Sequence, residues 1–108
     1  MKENIAKKIK ITHLPEIDRF QKDAIYTQIE KTYSKINELL PGELAMEIHF
    51  KKIHQGTHKR EIFEIKSGAA IAGFSFRSSF SDWDIEKALK HSLLALEKET
   101  IKAKTNKK

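Results

Sequence analysis

Few side chains in this sequence are placed for bond-making chemistry. It has five histidines and no cysteine, so disulfides, thiolate metal sites and cysteine nucleophiles are excluded. His54 and His58 stand four residues apart, but in an expected hairpin turn rather than along a helix face, and their spacing implies no third ligand. An exposed turn pair is the competing reading, and no metal is expected. Ser78, Ser79 and Ser81 precede a helix, yet no histidine or aspartate is placed by sequence to activate one of them, so capping and turn roles are expected. Gly68 and Gly73 do not form a phosphate loop, because neither opens a helix in the required pattern. The expectation is a protein without enzymatic activity, cofactor or small-molecule substrate.

What the sequence carries in quantity is positive charge. Lys and Arg number 21 against 15 Asp and Glu, a formal net charge of +6, which favours a polyanionic partner. On the expected closing helix Lys87, Lys90, His91 and Lys98 follow one another at helical spacing on the outer face. Lys102, Lys104, Lys107 and Lys108 continue the stripe with no acid among them. On the first helix Lys31 and Lys35 sit opposite the apolar positions. Lys51, Lys52, His58, Lys59 and Arg60 flank the first hairpin, and Arg77 lies on a later strand. Lysines on neighbouring elements, spaced to follow a phosphate backbone, give salt-sensitive binding largely indifferent to base identity. The plainer alternative is an ordinary solvated surface, since Glu30, Glu38, Glu86, Glu97 and Glu99 are interspersed. His49 suits a sheet-surface residue or an RNA contact better than a general base. Trp83 reads as a lid on the core, with a base-stacking platform as the alternative.

The elements that position these residues follow from periodicity. Lys8-Ile-Lys-Ile-Thr12 alternates and is β-branched, a short strand stopping at His13-Leu-Pro15. Asp18 and Gln21 resemble a capping pair, and Ile25, Ile29, Tyr33, Ile36 and Leu40 repeat as one face of a helix that ends at Pro41-Gly42. Leu44, Met46, Ile48 and Phe50 alternate with polar residues as a strand with one buried face. Gln55-Gly56-Thr57 is the next turn, Glu61–Lys66 the returning strand, Ser67-Gly68 a second turn, and Ala70, Ala72, Phe74 and Phe76 one face of a further strand. Ser81 with Asp84 reads as a second capping box. It opens a helix at about Asp82 whose stripe is Ile85, Leu89, Leu93 and Leu96.

The expected architecture is therefore α+β: one β-α-β-β-β-α domain over residues 1–108, with two helices packed on one face of a four-stranded sheet. The ordered core is expected over about residues 5–103 and a basic tail over 102–108. At 108 residues such a fold buries roughly 60–70% of its extended-chain surface, enough to fold alone. No apolar run approaches the roughly 20 residues that span a bilayer, and the start of the chain lacks the apolar core of a signal peptide. A cytoplasmic location without membrane contact is expected.

The element order, the single basic domain and the closing segment from Asp84 to Lys104 resemble the ribosome hibernation-promoting factor and ribosome-associated translation inhibitor family, over nearly the whole chain. In that family the last helix opens with Asp, has Ala and an aliphatic residue a turn later, and closes on basic residues. Asp84, Ala88, Leu89, Lys98, Lys102 and Lys104 match. Lys10-Ile11-Thr12 and the run from Ile29-Glu30 to Lys35-Ile36 are also similar to family positions. The family usually has a tyrosine two residues after that Asp and an acid six after it, whereas this chain has Glu86 and Lys90, with an aromatic only at Trp83.

The resemblance implies a non-catalytic protein that occupies the mRNA and tRNA channel of the small ribosomal subunit, contacts ribosomal RNA and keeps idle ribosomes inactive under stress. It implies Lys35, Lys98, Lys102 and Lys104 as phosphate contacts, and the residues themselves add Lys31, Arg77, Lys87 and Lys90. It further implies a short form without the dimerisation domain of long members. Two other classes remain open: a double-stranded RNA-binding module, which would favour free duplex, and a small enzyme acting on RNA or tRNA, which needs a convergent acid-base pair.

Overall fold

The computed structural model describes residues 8–55 and 60–106. In chain order these form β1 (Lys8–Thr12), α1 (Arg19–Leu39), β2 (Ala45–Gln55), β3 (Arg60–Ile71), β4 (Phe74–Asp82) and α2 (Ile85–Asn106). The sheet order is β1-β2-β3-β4, with β1 parallel to β2 and the later pairs antiparallel. This is the expected α+β layout. Both helices bury their apolar stripes against one sheet face, in a core that includes Ile29, Ile36, Ile48, Phe50, Leu89 and Leu96. Of the turn expected at Gln55-Gly56-Thr57, Gln55 instead ends β2 with His54 just before it, and Gly56 and Thr57, with His58 and Lys59, lie outside the described residues.

Local chemistry explains where α1 begins and ends. Asp18 is extended (φ −72°, ψ 168°), and its carboxylate accepts a hydrogen bond from the Gln21 N–H at 2.8 Å, satisfying one of the first-turn donors. At the other end the Leu40 N–H closes on the Ile36 carbonyl at 3.1 Å. Pro41 has no N–H to extend the ladder, and the chain turns through Gly42 at φ +126°, where a side chain would be strained. The buried Tyr33 hydroxyl then ties the helix to the sheet. It donates to the Leu44 carbonyl at 3.0 Å and accepts from the Lys8 N–H at 3.3 Å, so one side chain joins α1 to the starts of β1 and β2.

The second half of the sheet corrects the sequence reading. Ser67-Gly68 is not a turn: β3 runs unbroken to Ile71, and the reversal falls at Ala72 (φ 51°) and Gly73 (φ 85°). Two consecutive positive φ values make the two-residue hairpin whose twist matches that of its strands. The partner pair Ile71 and Phe74 closes it. Moving the turn changes the side-chain faces. Ile65, Ser67, Ala69 and Ile71 face the helices together with Phe76 and Ser78, while Ala70 is exposed on the other side. The start of α2 shifts too. β4 continues through Asp82, and the cap is Asp84, whose Oδ1 accepts from the Glu86 and Lys87 N–H groups at 3.0 and 3.3 Å. Ser81 takes no part in it.

Ser67 escapes the turn because its hydroxyl has a role inside the fold. Ser67 Oγ lies 2.7 Å from Ser92 Oγ, which lies 2.8 Å from Ser78 Oγ, and Ser78 donates to the Ser92 carbonyl at 2.8 Å. Each hydroxyl has one proton, so the direction is determined. Ser78 spends its proton on the carbonyl, Ser92 must donate to Ser78, and Ser67 must donate to Ser92. This relay fixes α2 on β3 and β4 without leaving a buried donor unmet.

Replacing Ser92 with alanine should strand the buried Ser67 hydroxyl and cost about 1–3 kcal/mol in urea unfolding. Adding Ser67→Ala to that variant should recover part of the loss rather than deepen it.

Candidate nucleic-acid interface

Because Ile85, Ala88, Leu89, Leu93 and Leu96 are buried, the opposite side of α2 is committed to solvent. At 3.6 residues per turn, Lys87, Lys90, His91, Lys98 and Lys102 lie within about 60° of the outward direction. All are exposed. Glu86, Glu97 and Glu99 fall on the flanks of the helix, so the outward strip is free of acids for about 22 Å, the axial distance from Lys87 to Lys102 at 1.5 Å per residue. Leu94 and Ile101 share this strip, 42% and 46% exposed.

Lys102 and Lys104, read from sequence as the beginning of a tail, belong to the last turns of α2, which continues through Asn106. Helix geometry extends the stripe as a rigid rod where a coil would have to be ordered on binding. Lys104 lies about 100° round from the outward direction, on the side of Glu97. That side faces α1. Glu97 accepts a hydrogen bond from the Thr32 hydroxyl at 3.2 Å and pairs with Lys35 at 3.7 Å. The Glu97 side chain is only 14% exposed and that of Lys35 61%, so Lys35 edges the seam between the helices with its charge partly offset. Lys31 is exposed on the outer side of α1.

Arg77 is separated from all of these. It alternates with the buried Phe76 and therefore projects from the sheet face opposite the helices. The eight expected contacts thus divide: Lys31, Lys35, Lys87, Lys90, Lys98, Lys102 and Lys104 lie on the helical layer, and Arg77 lies behind it. Sequence reasoning did not group Lys10, Lys51 and Lys66 with Arg77, although these four share the open face. Alternation with Phe76 already turned Arg77 away from the core, and its nearness to Lys66 needed the β3–β4 register that the turn at Ala72-Gly73 sets.

The remaining candidates settle simply. Trp83 is 59% exposed and does not close over the core, which corrects the lid reading. Phe80, 40% exposed, meets the His91 ring at 5.7 Å between centroids. His49 is on the open sheet face, its ring edge-to-face with His13 at 5.1 Å. Ser78 belongs to the buried relay. Among the described residues no three His, Asp or Glu side chains converge as a metal site, and no helix is long and apolar enough to cross a membrane.

A β-α-β-β-β-α domain with a mixed four-stranded sheet and both helices on one face defines a two-layer α+β class of fold. No protein-family model matches this sequence, and no curated protein matches it significantly. The structure is similar to that of the N-terminal domain of Thermus thermophilus Protein Y, at 18% identity and a TM-score of 0.64, covering 89% of this chain and 96% of that one. It is also similar to a ribosomal subunit interface protein from Coxiella burnetii, at 14% identity and a TM-score of 0.56, covering 91% and 98%. At such identities the likeness is one of fold.

Two substitutions test this description of α2. Asp84→Ala should remove the cap and lower stability by about 1 kcal/mol in thermal or urea unfolding. Glu97→Gln keeps an acceptor for Thr32 while freeing Lys35, and should raise the salt concentration at which the protein elutes from heparin.

Proposed function

We propose that this chain is a non-catalytic ribosome-binding protein of the hibernation-promoting factor and translation inhibitor family. It acts in the cytoplasm, docks on the small ribosomal subunit and contacts ribosomal RNA. By filling the path of mRNA and tRNA it inhibits translation and promotes ribosome hibernation under stress. The observation that carries the reading is the acid-free outward strip of α2, displayed on a fold shared with a protein described as a ribosomal subunit interface protein. Lys87, Lys90, Lys98 and Lys102 grip phosphates along this strip. Lys31, Lys35 and Lys104 extend the grip across α1 and the seam. Nothing in this task needs a reacting group: affinity comes from counterion release, and inhibition from the volume of a rigid sheet held in place by those contacts.

The reading is tested by sedimenting a stationary-phase lysate through a sucrose gradient and by titrating purified small subunits over a range of salt. The protein should co-sediment with ribosomal particles and compete with mRNA and tRNA. Replacing Lys87, Lys98 and Lys102 together with glutamine should weaken binding and flatten its salt dependence by roughly one unit of slope per lost contact. A protein that prefers naked duplex RNA to assembled subunits would be a double-stranded RNA-binding module, and the ribosomal reading would fall.

A further inference from the structure

The sheet face that the helices leave open is itself cationic. Register places Lys8, Lys10, Lys51, Lys66 and Arg77 on it against the acids Glu47 and Glu64. Lys10 and Lys51 stand across the sheet from Glu47 and Glu64, yet among the described residues neither they nor Lys66 and Arg77 close an ion pair with either acid, while Lys8 pairs with Glu43 and Lys52 with Glu61. The face is also indented. Ala45, Gly68, Ala70 and Ser75 form a floor of small side chains, and Glu47, His49, Lys66 and Arg77 stand around it. Gly68 lies between Arg77 on β4 and Glu47 on β2, directly opposite each, and leaves space beside the guanidinium. Lys66, one diagonal step from Arg77 across the β3–β4 pair, has its Cβ about 7–8 Å away.

The groove is rimmed by a guanidinium, an ammonium and serine hydroxyls against the single carboxylate of Glu47, with no exposed large aromatic ring beyond the His13–His49 pair. Its cationic balance suits a sugar-phosphate backbone better than a stacked base. Arg77 supplies the fork geometry that phosphate oxygens match, and Lys66 and Lys10 supply point charges. The sheet and its helices form a slab, with extents of 51 × 31 × 17 Å. Its two broad faces are therefore close together, and both are cationic.

We infer that the open sheet face is a second RNA-backbone surface centred on Lys66 and Arg77, so that the protein is held between two RNA segments, one on α2 and one on the sheet. The inference rests on the ribosomal reading and deepens it. It changes the mechanism from a plug attached along one side to a wedge clamped from both. Removing either segment would leave the protein attached by one face alone.

The test compares K10Q/K66Q/R77Q with the helix-face variant lacking Lys87, Lys98 and Lys102, using purified small subunits across a salt series. All six positions are exposed, so both variants should melt like the parent. The sheet-face variant should lose roughly three units of salt slope, as the helix-face variant does. The parent should also bring together two short RNA duplexes carrying a donor and an acceptor dye, and each variant should lose that energy transfer. If the sheet-face variant binds subunits as the parent does while the helix-face variant fails, the second surface is overturned and the ribosomal reading stands. If neither variant is impaired, both fall. Loss of subunit binding by the sheet-face variant with duplex bridging intact would mean that an acidic protein occupies the face, which overturns an RNA occupant.

Discussion

The burial of one face of α2 on β3 and β4 is the constraint on which the rest depends. Ile85, Leu89, Leu93 and Leu96 each become almost wholly inaccessible, and at roughly 1.5–3 kcal/mol for each large aliphatic side chain buried, no surface charge arrangement competes with that contact. Once the stripe is seated, the rotation of the helix about its axis is no longer free. The lysines are displayed outward because every other orientation would put an ammonium group into the core or a leucine into water.

Apolar contact alone sets rotation only coarsely, and polar links refine it. The Ser67–Ser92–Ser78 relay joins α2 to the two strands beneath it, and Glu97 joins α2 to α1 through Thr32 and Lys35. Both sets are directional, and both would leave unmet groups if the helix slipped by one residue. The buried serines thus hold the cationic strip in register with the sheet, although none of them would touch a ligand. Glu97 has a double effect. It secures the helix pair and draws off part of the charge of Lys35, concentrating the exposed positive field on the outer strip of α2.

The same alternation that buries one face of the sheet exposes the other, so Lys66 and Arg77 are placed by the residues between them. Phe76 and Ser67 must face the helices, and their chain neighbours must then face away. Among the described residues no further layer covers that side. A cationic surface on each face follows from a fold with a single core and a strong excess of lysine.

Much of this was legible in the residues themselves. The apolar positions of α1, β2 and α2 repeat at the period of their element, and the proline, glycine and aspartate at the ends of α1 are decided within a few residues of chain. The excess of lysine on α2 is a property of spacing alone. Tertiary structure decided where β3 ends. Ser67-Gly68 has the composition of a turn and Ala72-Gly73 only half of it, and the choice between them rests on a hydroxyl partner on α2 that is distant in sequence. From that choice followed the length of β3, the exposure of Ala70 and the β3–β4 register that sets Lys66 beside Arg77. The pairing of Glu97 with Lys35 and the exposure of Trp83 were likewise decided by packing, since both depend on how two remote segments meet. Local periodicity can assign a residue to a face of its own element, but only the assembled layers determine which faces meet and which are left to solvent.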